Sequence, residues 1–510
     1  MGSKDYVLTI DIGTETGRAA LVDPSGSCVR IVSVPYEVDC PKPNWVQQDP
    51  EMWWTSTCHN IQQLLKECEV DPASIACVAA CGQMHAPVSL AKDGSLVPGP
   101  VPLWCDKRTA DLCKQIRASN DEVALARLAG NPVCPSWTGL KMAWLRENSP
   151  AVYERTWKFL TCKDFINYKL TGEVATDYSE ASGTFLMDAE RKAWSVELCD
   201  VLDVDIGKLP PILPADHVVG TVTREAGRQT GLAEGTPVVT CGGDMMCILL
   251  GAGVAVHGVA CDVTGTAADI SVFCPSPVTD IRLMNLHHVA PGWIAFGILD
   301  AGGGSLKWFK DEFCQEERRE AQECGVSVYE VMSKKASAVG PCSEGVVFLP
   351  YLLGERTLGT PNARGVIFGL TTRHTKAHVI RAIMEGVNFD LRQSLEIIEE
   401  SGVSVREIRA TAGGARSSVW CQIKADIYKK PIVALEETEG GIMGGAILAS
   451  TGAGLYESVE EAASAMVKRG QTYLPSPSSV VRYDEGYRVF KSLHDALQDK
   501  FDAAARVFAG

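Results

Sequence analysis

Tyr6-Val-Leu-Thr-Ile10-Asp11-Ile-Gly13-Thr14-Glu15-Thr16-Gly-Arg18-Ala-Ala-Leu-Val22 sets two apolar, β-rich runs on either side of a short polar stretch. Val, Ile and Tyr suit a pleated, buried surface, and Gly with two threonines supplies turn chemistry, so the stretch predicts a hairpin with a polar tip. Past the Pro24-Ser-Gly26 turn, residues 29–38 read as a third strand, which makes an antiparallel meander. Asp49-Pro-Glu-Met-Trp-Trp54 then reads as a capped helix start, because Asp accepts orphan backbone donors and Pro suits the first turn. Strand followed by helix recurs at 73–81 and 107–118, the alternation of a layered α/β domain. The opening theme returns as Gly258-Val-Ala-Cys-Asp-Val263, Thr264-Gly-Thr266 and Ala267-Ala-Asp-Ile-Ser-Val-Phe273. With 510 residues, too many for one core, this suggests two related lobes, 1–250 and 251–510, meeting near 251–256. From Asp484 on, Val489, Phe490, Leu493 and Leu497 predict a closing amphipathic helix.

Composition narrows the function classes. A net charge of −15 disfavours general affinity for nucleic acid or anionic membranes, which need excess Lys and Arg. The N-terminal residues hold no apolar core before a small-residue cleavage site, and residues 245–256, the longest apolar stretch, are too few and too Gly-rich to span a bilayer. Nineteen cysteines, odd in number, without a CxxC pair and often inside apolar runs, fit a reduced cytoplasmic protein better than a disulfide scaffold or a zinc site.

Four constellations carry candidate chemistry. Asp11-x-Gly13-Thr14-x-Thr16-x-Arg18 has the small residue, free N–H groups and hydroxyls that a phosphate-binding hairpin needs, and Asp11 is placed to orient Mg²⁺ through its water shell. An ordinary polar turn fits the same residues. Asp244, in Thr240-Cys-Gly-Gly-Asp-Met245, ends the apolar run Pro237–Val239 and reads either as a general base at a strand terminus or as a helix N-cap. Gln83, Met84 and His85 follow another β-rich run, where Gln and His can read hydroxyls or serve structure. Thr411-Ala-Gly413-Gly414-Ala415-Arg-Ser-Ser418 is a Gly-rich strand-to-helix turn against which a planar base could lie. GxxxxGK[ST] and the protein-kinase glycine loop do not occur, so an ATP site here is of another type.

In this order the motifs resemble the FGGY carbohydrate kinases over nearly the whole chain, and among them the xylulokinases. Two signatures carry the likeness: Ser136-x-Thr138-x-x-Lys141-Met142-x-Trp144-Leu145-x-Glu147-Asn148, and Gly365-x-Ile367-x-Gly369-Leu370 continuing to His378-Val379-x-x-Ala382-Ile383-Met384-Glu385. Trp104-x-Asp106-x-Arg108, residues 350–357 (Pro-Tyr-Leu-Leu-Gly-Glu-Arg-Thr) and Ala412-Gly-Gly-Ala-Arg-Ser417 join the set.

The resemblance implies two actin-like, ribonuclease H-like lobes around a central ATP/sugar cleft, with sugar mainly on the first and ATP mainly on the second. It implies Asp244 as general base and Asp11 as the acid that orients Mg²⁺ through water. Thr14, Thr16 and Arg18 match the first phosphate loop, and Gly265 and Thr266 the second. Gly303 matches a nucleotide contact, and Gly414, Ala415 and Ser418 the adenosine pocket. Gln83, Met84, His85, Trp104, Asp106 and Met245 fall at the acceptor. The activity implied is phosphorylation by ATP of a hydroxyl of a small ketose or polyol, D-xylulose to D-xylulose 5-phosphate first. Its partners are that sugar and MgATP, with room for a homodimer. Met245 stands where xylulokinases carry Asn, Ala86 where they carry Gly, and Glu15 adds a negative charge to a phosphate loop. These departures leave another sugar, polyol or autoinducer kinase as the alternative within the family, and an actin- or chaperone-like ATPase as the alternative outside it.

Overall fold

The first hairpin forms as its pattern requires. β1 (Tyr6–Ile12) and β2 (Thr16–Val22) pair antiparallel, leaving Gly13, Thr14 and Glu15 for the turn. Val7, Leu8, Ile10 and Ile12 are all fully buried, so β1 is covered on both faces, which is why it reads as a nearly unbroken apolar run. β3 (Cys28–Pro35) completes the meander. It stops short of the expected residue 38 because β2, its partner, begins only at Thr16, which lies opposite Pro35.

The computed structural model describes residues 5–355, 359–436 and 439–508. It divides into two units: one takes the chain through Val256 with Pro275–Ile294 and Glu439–Val467, the other His257–Cys274, residues 295–436 and the chain from Lys468 on. The sheet of the first unit runs β5-β6-β4-β1-β2-β3, where β4 is Ile75–Gly82, β5 Val218–Thr221 and β6 Pro237–Val239. β4 lies parallel to β1 and to β6, while β5 is an antiparallel edge. In the second unit β7 (Val259–Thr264) and β8 (Ala268–Cys274) form the repeated hairpin, and its strands follow β9-β8-β7-β10-β11-β12. Here β9 is Trp293–Leu299, β10 Glu407–Thr411, β11 Ile432–Leu435 and β12 Arg469–Tyr473. A meander, then two parallel strands, then an antiparallel edge describes either sheet. This is the actin-like, ribonuclease H-like α/β plan expected from the sequence.

Helices cover these sheets. α1 (Pro50–Cys68) starts behind Asp49, whose carboxylate accepts the Glu51 N–H, and buries Trp53, Trp54, Ile61 and Leu64. α2 (Asp244–Gly251) packs along α5 (Gly440–Gly452), so closely that a Cβ on Gly444 would lie 2.0 Å from the Cys247 carbonyl oxygen. Between them in sequence come α3 (Gly302–Phe313) and α4 (Ser418–Tyr428) of the second unit. The closing helix, α6 (Pro477–Phe508), begins seven residues before the expected Asp484, with Pro477 in its first turn. Its buried stripe is Tyr483, Tyr487, Phe490 and His494. Val489, expected on that stripe, is about 100° around the helix from Phe490 and is exposed. Of residues 350–357, Arg356 and Thr357 lie outside the described residues. No described helix is long and apolar enough to cross a membrane.

Candidate active site

Sheet register gathers the acidic residues of the first unit. Asp11 is the cross-strand partner of Arg18 and, on its other side, of Cys81. One residue further along β4, Gly82 bridges Gly243, and the next residue is Asp244. Arg18 Nη2 therefore reaches Asp11 Oδ2 at 2.6 Å, while its Nη1 meets Glu439 Oε2 at 2.5 Å. Asp244 is the first residue of α2 and Gly243 is the cap, so the Asp is not itself the N-cap, and its Oδ1 accepts the Met245 N–H at 2.7 Å. Burial, then the Asp11 charge, push its pKa up to about 7, against the pull of that hydrogen bond and of Arg18. Asp11 is raised as well, by burial, although Arg18 and the Cys81 thiol pull it down. At the hairpin tip Gln48 Nε2 donates to the Thr14 carbonyl and the Tyr36 hydroxyl to that of Gly13. The two carbonyls that would repel an anion are thus occupied, while Thr14 and Thr16 keep hydroxyls at the tip.

The residues after β4 divide between surface and support. Met84 packs on Gly243, where a Cβ would come 2.5 Å from Met84 Cγ. His85 has φ +69°, its Nδ1 lies 3.0 Å from the Gly183 carbonyl, its ring meets Trp137 edge-on, and burial lowers its pKa to about 3. Lys141 Nζ donates to the His85 carbonyl, and burial, opposed by Asp106, brings that amine down to about 7. Gln83 is fully buried and donates to Gln48 Oε1, so it backs the side chain that holds the Thr14 carbonyl. Trp104 is exposed, and its indole N–H donates to Thr14 Oγ1 at 3.0 Å. Asp106 is fully buried, with both oxygens engaged by Arg108 and by the Arg108 and Val46 N–H groups. It clamps the guanidinium that lies 4.2 Å from the Trp45 ring centroid and 5.0 Å from that of Trp144. Met245, next to Asp244, is partly buried.

Five of the expected nucleotide residues converge in the second unit. Gly265, Thr266, Gly303, Gly414 and Ser418 line one cavity of about 700 Å³, within the range of cofactor sites, and Trp420 adds an aromatic wall. Ala415, the sixth, is not among its lining residues; its carbonyl faces the Cys421 thiol. The cavity exists because backbones touch. A Cβ on Gly303 would stand 2.2 Å from the Gly265 carbonyl oxygen, and the Gly304 N–H bonds the Thr266 carbonyl at 2.9 Å. Gly303→Ala must displace main chain, so a loss of about 1–3 kcal/mol is expected. A thermal melt checks this, and an unchanged Tm would show that the turn has room.

Sequence reasoning missed several supports. Glu439 pairs with Arg18 across 421 positions, a distance no local pattern spans. Lys163 pairs with Asp164 and Asp177 beneath the Thr240 carbonyl, and nearby Glu180 is fully buried with neither carboxylate oxygen bonded. Burial holds its carboxyl well above the usual range. Under the nucleotide-type cavity, Lys424 bridges Asp262 and Thr264.

Comparison with known proteins gives these geometries a family. Residues 6–251 match the model of the N-terminal domain of the FGGY family of carbohydrate kinases, and residues 263–453 that of its C-terminal domain. Xylulose kinase of Bacillus subtilis is 30% identical over 499 residues, covering 97% of both chains. Gluconokinase of the same organism is 29% identical over 504 residues, covering 98% of both. Among solved structures, xylulose kinase from Rhodospirillum rubrum superposes with a TM-score of 0.88 at 29% identity, over 98% of this chain and 100% of that one.

Proposed function

Since the chain belongs to the FGGY family of carbohydrate kinases, we propose that it moves the γ-phosphoryl group of ATP to a primary hydroxyl of a small ketose, D-xylulose first. The observation that carries this reading is the place of Asp244: it follows Gly243, which bridges Gly82 one residue past the cross-strand partner of Asp11, and burial there raises its pKa. In this reading the first unit binds the acceptor and the second the nucleotide, in the cytoplasm. Met84 and His85 face the sugar, and Trp104 joins the acceptor side to Thr14. The adenosine lies between the Gly413-Gly414 turn and Ser418, with phosphates toward Gly265 and Thr266.

Transfer needs the attacking oxygen in line with the γ-phosphorus. Asp244 takes the hydroxyl proton, the oxygen–phosphorus bond forms, the bond to the leaving ADP oxygen breaks, and Asp244 returns the proton to solvent. The Thr14, Thr16 and Thr266 hydroxyls are donors for the charge that builds on phosphate oxygens, whereas the Gly265 N–H is already given to the Ala267 carbonyl at 2.9 Å. The residues present fit Mg²⁺, which takes hard oxygen ligands and keeps water. Asp11 supplies such an oxygen, and Gly441 leaves space beside it, for a Cβ there would stand 3.1 Å from Asp11 Oδ2. Held by Asp11, the ion would supply positive charge against the phosphate oxygens.

Two measurements test the reading. In a coupled ADP-release assay across ketoses and polyols, D-xylulose is expected to give the largest kcat/KM; ADP release indifferent to every sugar would overturn the proposal. The second is the pH profile. Asp244 works only as the carboxylate, and burial and Asp11 both disfavour that form. kcat/KM should therefore rise tenfold per pH unit below about 7 and level off above it. A profile already flat from pH 5 would remove Asp244 from the role of base.

A further inference from the structure

We infer that Asn388, which does not itself line the cavity of the second unit, is a positioning residue for the nucleotide: its amide ties the aromatic wall at Trp420 to the phosphate turn that Thr264 opens. This rests on the reading above, in which that cavity takes ATP. Asn388 lies on the helix Lys376–Glu400, one turn past Met384, which does line the cavity. It is fully buried, so a group that loses its partner here finds no solvent. Its neighbours fix which way the amide points. The Trp420 indole can only donate, so the Asn388 oxygen faces it, at 2.6 Å. That leaves the Asn388 NH₂ group for the Tyr428 hydroxyl, also at 2.6 Å. Tyr428 accepts there, and its one hydrogen goes to Asp262 Oδ2 at 2.8 Å. Asp262 Oδ1 in turn accepts the Thr264 hydroxyl at 2.5 Å, together with Lys424.

This path of hydrogen bonds is continuous, and both its ends, Trp420 and Thr264, line the cavity. Asn is the side chain that completes it. An amide turned over would set N–H against N–H at Trp420, an ionised Asp could not donate to Tyr428, and an aliphatic side chain could do neither. Trp420 stands in the first turn of α4, where the Ser417 hydroxyl accepts its backbone N–H. The cap places the backbone, and Asn388 fixes the tilt of the ring. Cutting the path frees the indole to turn and loosens the wall for the base relative to the turn for the phosphates. All members of the path belong to the second unit, so the loss falls on nucleotide binding and not on the acceptor or on Asp244.

Asn388→Ala should raise the KM for ATP about tenfold, the scale of a buried polar group left without its partner. kcat at saturating ATP and the KM for D-xylulose should stay within about twofold of the parent. A variant with a lowered Tm and a parental KM for ATP would reduce Asn388 to a support of the fold and overturn the inference. The sharper test is a cycle between Trp420→Phe and Tyr428→Phe, each of which removes one hydrogen bond to Asn388. Either change alone should raise the KM for ATP about fivefold. Together they should do no more than the larger of the two, because either one already cuts the same path. Effects that multiply would show that each residue acts at its own place, and would overturn the inference even if Asn388→Ala failed to fold. Calorimetry separates this from the premise. A parent protein that binds no ATP would defeat the assignment of the cavity to the nucleotide and the inference with it, whereas normal ATP binding with multiplied effects would defeat the role of Asn388 alone.

Discussion

Asp244→Asn should lower kcat with D-xylulose by about 10²- to 10⁴-fold, the range that positioned proton transfer contributes. The amide keeps the shape and the oxygen that accepts the Met245 N–H, so α2 starts as before. What disappears is the ability to take a proton. Because burial and Asp11 both penalise the carboxylate, removing the charge should leave stability unchanged or raised, and a Tm no lower than that of the parent separates lost chemistry from lost fold. Nucleotide affinity should persist, since the cavity assigned to ATP is lined entirely by residues of the second unit. The residual rate should also lose its pH step near 7. Turnover within tenfold of the parent, with the step still present, would mean that another group removes the proton.

The same residues show where sequence reading has purchase. Both hairpins, the Asp49 cap and the Gly-rich turn before α4 were legible because their determinants lie within a few residues of one another. Asp244 was legible as a cleft acid or a cap. Only register decides its neighbours, because Gly82 sits between Ile12 and Gly243. The resemblance alone puts Asp106 at the acceptor, and Gln83 reads locally as a group for hydroxyls or for structure. In the fold they meet Arg108 and Gln48, and their hydrogen bonds go to supporting other side chains. Glu439 and the return of 439–467 to the first unit depend on packing across more than 400 positions, which no periodicity encodes. The start of α6 was within reach, since Ser476-Pro477 is a helix-opening pair, but the apolar spacing from Asp484 masked it.

Lys424→Met should be the most damaging change to the second unit, at about 3–5 kcal/mol, because it strands a buried carboxylate. Asp262 lies in the middle of β7, between Ile270 and Ala410 in the sheet, and is fully buried. Lys424 descends from α4, pairs with Asp262 Oδ1, and donates to Thr264 Oγ1 at 2.7 Å, while Tyr428 donates to Asp262 Oδ2 at 2.8 Å. Methionine preserves the packing of the stem, so the loss isolates the charge. For a unit of this size the cost corresponds to a fall in its unfolding transition on the order of 10 °C. Thr264 opens the Gly265-Thr266 turn, and a Cβ on Gly414 would stand 2.6 Å from Thr264 Cβ. Freed of Lys424, Thr264 should shift both walls of the cavity, and nucleotide affinity should fall with stability. Adding Asp262→Asn removes the stranded charge, so the double variant should recover part of the Tm. A single variant that melts with the parent, or a double variant that melts below the single one, would show that this pair does not hold the sheet to the helix.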